Sequence, residues 1–327
     1  MSAERILVLG AGELGLSIIG ALSAYIRAHE STTVGTRLTV LLRESTFSSK
    51  PALVDTVRSL GAGTETGDVA ALSVPELAAL FSRYTTVISC NGMTLPAGSQ
   101  LKLLDAVLLA VDDASGSVLR RYVPWQFGMD FEAVGRGSAQ DLFDEQIAVR
   151  ERLRGLRDDD TSSKGRRQLD WRIFSTGLFM SFLFLQDFGV VDVPRRTVRA
   201  LGSWDNEITL TVPRDIGPAV AEGVFDPPRE NVVYIAGDTV SYARIAELVE
   251  ERYGAGFTRE LWDSEALRRR KEEDGDVGMY KYRDTFAQGR GVSWDKKATF
   301  SAARGLDMMD LKTYLRTLDD DGQEVAE

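Results

Sequence analysis

The sequence predicts an α/β protein built on a doubly wound parallel sheet, with a small C-terminal lobe. Three observations carry that expectation. The apolar run Ile6–Leu9 stops at glycines spaced Gly10, Gly12 and Gly15, and helical spacing then holds from Leu14 to Ala24. Short apolar runs alternate with helix-patterned segments through the first half of the 327 residues. These runs also end in clusters of Gly, Asn or Pro, which leave room for a ligand at the carboxyl edge of a sheet.

The stretch Arg5–Gly15, RILVLGAGELG, reads as a phosphate-binding turn of the Rossmann type. Gly10 permits the bend, Gly12 lets backbone approach a pyrophosphate, and Gly15 lets the helix pack close to the strand. The helix start at Glu13 and Leu14 offers N–H groups to the anion. A polar turn, His29–Arg37, leads to the second strand, Leu38–Leu42, which ends at Arg43. A guanidinium at this strand end suits a ribose 2′-phosphate, where a carboxylate would suit a 2′-hydroxyl. Arg43 with Ser45 and Lys50 therefore points to NADP(H), against the alternative of a solvated polar loop.

Further along, Pro51–Leu60 reads as a helix, and Gly67-Asp68 closes a short third strand from which Asp68 faces the adenine. Pro75–Phe81 is the next helix, with proline in its first turn. Thr86–Ser89 is a fourth strand running into Cys90, Asn91 and Gly92. Cys90 reads as a small buried filler rather than a nucleophile. Gln100–Leu109 is helical, and Val118–Val123 is a fifth strand ending at Trp125, Gln126 and Phe127. Arg157–Gln168 is a charged loop, and Leu169–Ser175 a sixth strand. The apolar patch Thr176–Phe188 follows; it is either core or a wall of a hydrophobic substrate site.

Val198–Leu201 and Ile208–Val212 are expected to pair as a hairpin about Trp204. Asp215–Phe225 reads as a capped helix, and Val232–Ala236 as the strand completing a sheet of about seven. The rest is a lobe with helices at Tyr242–Tyr253 and Ser264–Asp274, a less regular Tyr280–Trp294, and a frayed acidic tail, Leu318–Glu327. Residues 1–175, with strand 231–237 returning, form the expected NADP(H)-binding domain; 176–230 and 238–327 form the substrate lobe.

Composition narrows the function. Lys and Arg number 39 against 49 Asp and Glu, and no basic stripe with interleaved aromatics appears, so neither nucleic acid nor an anionic membrane is an expected partner. No apolar stretch reaches membrane-spanning length. The single Cys90 fits a reducing compartment, and the cytoplasm is the expected location. One histidine, His29, and one cysteine leave His-ligated zinc, Ser-His-Asp hydrolysis and Cys-His catalysis without their parts. The acids Asp158–Asp160 and Asp319–Asp321 are spaced for solvent, and no metal site is expected.

The segment YVPWQFGMD, followed by SAQDLFDEQIAVRERLR, resembles the isoflavone reductase-like and NmrA-like branch of the atypical short-chain dehydrogenases. VLGAGELG, Gly67-Asp68, the Trp125–Gly128 turn and the STG of Ser175–Gly177 fall in that family's order. GSWDN at Gly202–Asn206 and AGDT at Ala236–Thr239 are similar to a subset of its members. The resemblance implies a Rossmann fold, bound NADP(H) and a helix carrying a catalytic lysine. Aligning Phe143, Val149 and Arg150 with that helix puts Gln146 in the lysine's place. None of the nine tyrosines is followed four residues on by lysine. An amide orients a substrate but does not transfer a proton near neutral pH.

The expected activity is therefore that of an NADPH-dependent oxidoreductase acting on a bulky aromatic or alkaloid-like secondary metabolite, with hydride transfer to C=N or conjugated C=C. A cyclase using bound NADP(H), and a non-catalytic NADP(H)-sensing regulator, are the alternatives. Asp130, Gln146 and Tyr282 are the candidate catalytic residues. Trp125, Met129, Phe179, Met180, Trp204 and Tyr280 are the candidates for holding an apolar, aromatic small-molecule substrate.

Overall fold

A computed structural model describes residues 3–92, 95–112, 116–137, 141–158, 168–274 and 277–324. In chain order the first elements are β1 (Arg5–Leu9), α1 (Glu13–Ala28), β2 (Arg37–Leu42), α2 (Glu44–Ser49), α3 (Pro51–Ser59), β3 (Gly63–Thr66), α4 (Val74–Phe81) and β4 (Thr86–Ser89). Next come α5 (Ser99–Asp112), β5 (Arg121–Val123), α6 (Phe131–Val134), α7 (Asp141–Asp158) and β6 (Asp170–Trp171). The remainder comprises β7 (Ile173–Ser175), β8 (Leu178–Phe179), β9 (Val191–Asp192), β10 (Thr197–Leu201), β11 (Glu207–Thr211), α8 (Pro213–Phe225), β12 (Val232–Tyr234) and β13 (Asp238–Ser241). α9 (Tyr242–Tyr253), β14 (Thr258–Trp262), α10 (Ser264–Asp274), α11 (Val277–Ala287), α12 (Phe300–Ala303) and α13 (Leu311–Thr317) complete the chain.

Contacts divide these elements into two units. The first comprises Met1–Gln126, Glu145–Ile173 and Ile216–Val233; the second comprises Phe127–Asp144, Phe174–Asp215 and Tyr234–Glu327. The first thus includes most of α8, a segment that the sequence reading gives to the lobe.

The first unit holds a six-stranded sheet in the order β3-β2-β1-β4-β5-β6, every pair parallel. β1 is buried from Ile6 to Leu9 because both faces carry helices, which explains its unbroken apolar run. On one face Leu7, Leu9, Val87 and Tyr122 pack with Leu77 and Phe81 of α4, Leu103 and Val107 of α5, and Val149 and Leu153 of α7. Full burial of each such side chain contributes about 1.5–3 kcal/mol. α4 starts at a capping box in which Ser73 and Glu76 exchange hydrogen bonds. These bonds hold the Glu76 carboxyl below its ordinary range. α8 crosses α1 closely, since a Cβ on Gly217 would lie 2.4 Å from the Ser17 carbonyl oxygen, and the Tyr25 and Phe225 rings stack at 4.5 Å.

Several elements differ from expectation, each for a traceable reason. The polar segment after Arg43 is helix α2, closed by Ser48 and Ser49 hydroxyls donating to the Ser45 carbonyl. The expected sixth strand is broken at Arg172, whose guanidinium binds Asp170, the Trp171 carbonyl and the Pro228 carbonyl. Its first part, β6, joins the parallel sheet, while β7 pairs with β12 as a separate ribbon, so the main sheet has six strands rather than about seven. The fifth strand is shorter than expected, and α7 runs on to Asp158. Residues 159–167 of the expected charged loop lie outside the described residues.

In the second unit the expected hairpin does not form. β10 pairs with β14 and β9, whereas β11 pairs with β13 and β8. The Trp204 turn is instead closed by Asn206, whose Nδ2 donates to the carbonyls of Leu201 and Ala287. Tyr280 and Tyr282 sit on a regular helix, α11. Within the acidic tail, Leu318–Glu324 form a bonded turn. Leu318 bridges Glu324, Asp319 Oδ1 accepts from the Asp321 and Gln323 N–H groups, and Tyr314 donates to Glu324. Among the described residues no helix is long and apolar enough to cross a membrane.

Candidate nucleotide-binding site

The β1–α1 turn has the shape of an anion cradle. Gly10 has φ +92, where only glycine is unstrained, and the Asn91 amide lies against its Cα: a Cβ there would be 1.8 Å from Asn91 Oδ1. A Cβ on Gly15 would meet the Gly10 carbonyl oxygen at 2.5 Å, so α1 starts hard against the turn. A Cβ on Gly12 meets no atom within 4 Å, which leaves this flank of the turn open. Gly12 is also the N-cap of α1 and supplies no side-chain cap to a 16-residue helix, so its first turn, at Glu13, Leu14 and Gly15, suits an external anion.

Past β2, Arg43 and Lys50 flank the short helix α2, both exposed. Neither side chain makes a hydrogen bond or ion pair among the described residues. Ser45 lies between them, exposed. Asp68 is half-buried beyond β3, with Oδ1 accepting from the Ala70 N–H, so its carboxylate shapes the turn that follows.

Polar side chains tie the segment after β4 to α5 and the segment after β5 to α7. Gln100 Nε2 donates to the Asn91 carbonyl at 3.0 Å. Trp125 lies against Gly92 so closely that a Cβ would sit 1.7 Å from the indole. Gln126, three residues past β5, is buried; its Nε2 donates to the Gln146 carbonyl at 2.9 Å and its Oε1 accepts from the fully buried Arg150 guanidinium. Glu145 accepts from the N–H groups of Gly98, Gln100 and Leu101, capping α5 from α7. Gln146 itself is fully buried, and among the described residues neither its Nε2 nor its Oε1 has a hydrogen-bond partner. Burial pushes the Cys90 thiol above its ordinary range, which keeps it protonated.

The remaining candidates belong to the second unit. Asp130 is half-buried and accepts from Tyr234 at 2.7 Å; it precedes α6 without capping it through its side chain. Tyr234 also meets Trp294 edge-on, with centroids 5.0 Å apart. Tyr282 packs edge-on against Phe143, which in turn contacts Phe131. Burial pushes the Tyr282 phenol up to about 12, so it stays neutral at physiological pH. Phe127 stacks with Phe174, and Met129 and Met180 are buried. Phe179 and Tyr280 are half-buried, and Trp204 lies beneath the Arg259 guanidinium. AGDT has a structural use here: Asp238 accepts from the Leu311 N–H, and Thr239 bonds Thr209 and the Trp294 carbonyl.

Sequence reasoning missed Gln100, Glu145, Arg150 and Tyr234. A signal existed only for Arg150, which lies one helical turn beyond Gln146 on the same face. The others act through contacts between segments far apart in the chain.

A parallel sheet in this order, with a glycine turn after its first strand and a cation past its second, defines a doubly wound protein of the dinucleotide-binding class. No protein-family model matches the chain. Over 321 residues it is 48% identical to an NmrA-like family domain-containing oxidoreductase of Gibberella moniliformis (strain M3125 / FGSC 7600), covering 96% of this chain and 98% of that protein. The chain belongs to the NmrA-like family. Its fold is similar to that of AtPrR2 solved with NADP+ and (+)pinoresinol, at TM-score 0.74 and 17% identity, covering 97% of this chain and 99% of that one. An isoflavone reductase structure matches at TM-score 0.71 and 18% identity, covering 96% of this chain and 99% of that one.

Proposed function

We propose that this chain is an NADP(H)-dependent oxidoreductase acting on a bulky aromatic or alkaloid-like small molecule, by hydride transfer to a C=N or conjugated C=C bond. The open flank at Gly12 and the start of α1 suit a pyrophosphate, and Arg43 with Lys50 suits a 2′-phosphate. The 48% identical relative is named an oxidoreductase, and AtPrR2, of similar fold, was solved with NADP+ and (+)pinoresinol. When bound, the dinucleotide supplies the hydride.

The observation that carries the choice of reaction is Gln146, a neutral and fully buried amide on α7. It positions but does not protonate, and Tyr282, its phenol at about 12, remains a weak acid. An iminium carbon already bears the charge that an acid would otherwise create, and a conjugated acceptor spreads it, so both demand less proton transfer than a ketone. Phe179 and Tyr280, half-buried in the second unit, offer aromatic surface for such a substrate.

The test uses NADPH carrying deuterium at one C4 position, with a panel of cyclic iminium ions, enones and ketones. Transfer from a single face, with iminium or enone turned over in preference to ketone, is expected. Tight NADPH binding without deuterium transfer to any member of the panel would overturn the reading in favour of a sensor.

A further inference from the structure

We propose that Lys102, on α5, is a positioning residue for the adenine end of the dinucleotide, fixing the Asp68 carboxylate through two peptide planes of the turn after β3; the proposal rests on the NADP(H) reading above. The Gly67 N–H donates to the carbonyl of Leu42, the last residue of β2, so this turn begins beside Arg43, the cation that suits a 2′-phosphate. The base carried by the same ribose therefore falls to groups at the carboxyl ends of β2 and β3. Asp68 stands there half-buried, open enough to meet a ligand. Its Oδ1 accepts from the Ala70 N–H, whereas its Oδ2 makes no hydrogen bond among the described residues.

Covalent geometry links the two residues. Lys102 Nζ donates to the carbonyls of Val69 and Ala70, at 3.0 and 2.9 Å. A trans peptide is a rigid plane whose C=O and N–H point opposite ways. The plane that holds the Val69 oxygen also holds the Ala70 N–H, which donates to Asp68 Oδ1 at 2.9 Å. The next plane, with the Ala70 oxygen, holds the Ala71 N–H, which donates to the Asp68 carbonyl at 3.1 Å. Two successive planes are thus pinned between one ammonium and one aspartate. Bonds from an ammonium are stronger than those from a neutral donor, which suits a turn that keeps its shape while a ligand approaches. Without the ammonium both carbonyls are free to swing toward water, the Ala70 N–H leaves Oδ1, and Oδ2 loses its fixed direction. The exocyclic amine of adenine has a donor for that oxygen, whereas an oxygen in the amine's place has none.

Calorimetric titration of NADP+ and of its hypoxanthine analogue, in which an oxygen replaces the exocyclic amine, tests this without turnover. Wild-type protein should bind NADP+ about tenfold more tightly than the analogue. Lys102→Met keeps the reach of the side chain without its charge. It should bind NADP+ about tenfold more weakly than wild type and hold the two ligands within about twofold of each other. Lys102→Arg, which keeps a cation with donors, should restore most of the preference. Lys102→Gln carries the methionine variant's expectation should that variant misfold. A folded Lys102→Met or Lys102→Gln that keeps the tenfold preference, whatever its Tm, overturns the proposal and makes Lys102 a brace of the fold alone. Equal binding of both ligands by the wild type also overturns it, since Asp68 would then not read the base. Failure of NADP+ to bind the wild type would instead overturn the cofactor reading itself.

Discussion

Replacing Arg43 by alanine should separate the two nicotinamide dinucleotides. The guanidinium stands past the end of β2, exposed and without hydrogen bond or ion pair among the described residues, so its removal breaks nothing in the fold. Stability should change by less than about 0.5 kcal/mol, as at most surface positions. Two unit charges 4 Å apart interact by about 1 kcal/mol in water and about 4 kcal/mol at an effective dielectric of 20, and exposure keeps Arg43 near the lower figure. A 2′-phosphate carrying roughly 1.5–2 negative charges raises the sum to about 2 kcal/mol, or about 30-fold in affinity. Fluorescence or calorimetric titration of Arg43→Ala should show that loss for NADPH, with NADH changed less than about twofold. Added salt should shrink the wild-type preference, because an exposed pair is screened. Equal losses for NADPH and NADH would refute the reasoning, since Arg43 would then act on a part that both share.

Gly92→Ala should push the Trp125 ring out of place, because the new Cβ would lie 1.7 Å from it; a cost of about 1–3 kcal/mol should appear in Tm together with an altered near-ultraviolet circular dichroism spectrum. Glu145→Ala removes the acceptor of three backbone N–H groups at the start of α5 and should cost about 2–4 kcal/mol by denaturant titration, with Glu145→Gln milder. Burial raises the Asp215 carboxyl, an effect that its bond from the Met309 N–H and the nearby Arg214 only partly offset. A raised folded-state value means that stability is greatest below the unfolded carboxylate range and falls as pH rises through the folded value. Asp215→Asn should therefore have a higher Tm than wild type at neutral pH and lose that advantage in acid, and a gain independent of pH would contradict the burial argument.

The parts of the fold legible in sequence are those set by neighbours in the chain. β1 and its glycine turn are read directly, and α9 runs from Tyr242 to Tyr253 as its pattern predicts, between a Ser241 cap and Gly254. β10 and β11 are also legible as strands, but their pairing is not. Ile208 has its partner at Val240 and Thr197 at Thr258, whereas local alternation suits a hairpin equally well. At the site, the glycines and Arg43 announce themselves by type and position. Gln126 and Arg150 are 24 positions apart and meet only through packing of α7, so nothing local marks the pair. Gln146 stands out by its difference from a family pattern, whereas its full burial is visible only in the folded structure.

The three-piece build of the first unit bears on how the chain is made. Ile216–Val233 emerges from the ribosome about 90 residues after Gln126, which at roughly 5–20 residues per second is a delay of about 5–20 s. Until then α1 lacks the helix that crosses it at Ser17, and for part of that time α5 lacks its cap from Glu145. A nascent chain therefore carries its glycine turn long before it holds a finished nucleotide unit. A fragment cut after residue 126 or 175 stops at the same unfinished stage, so limited proteolysis at a single place should not release a stable nucleotide-binding piece.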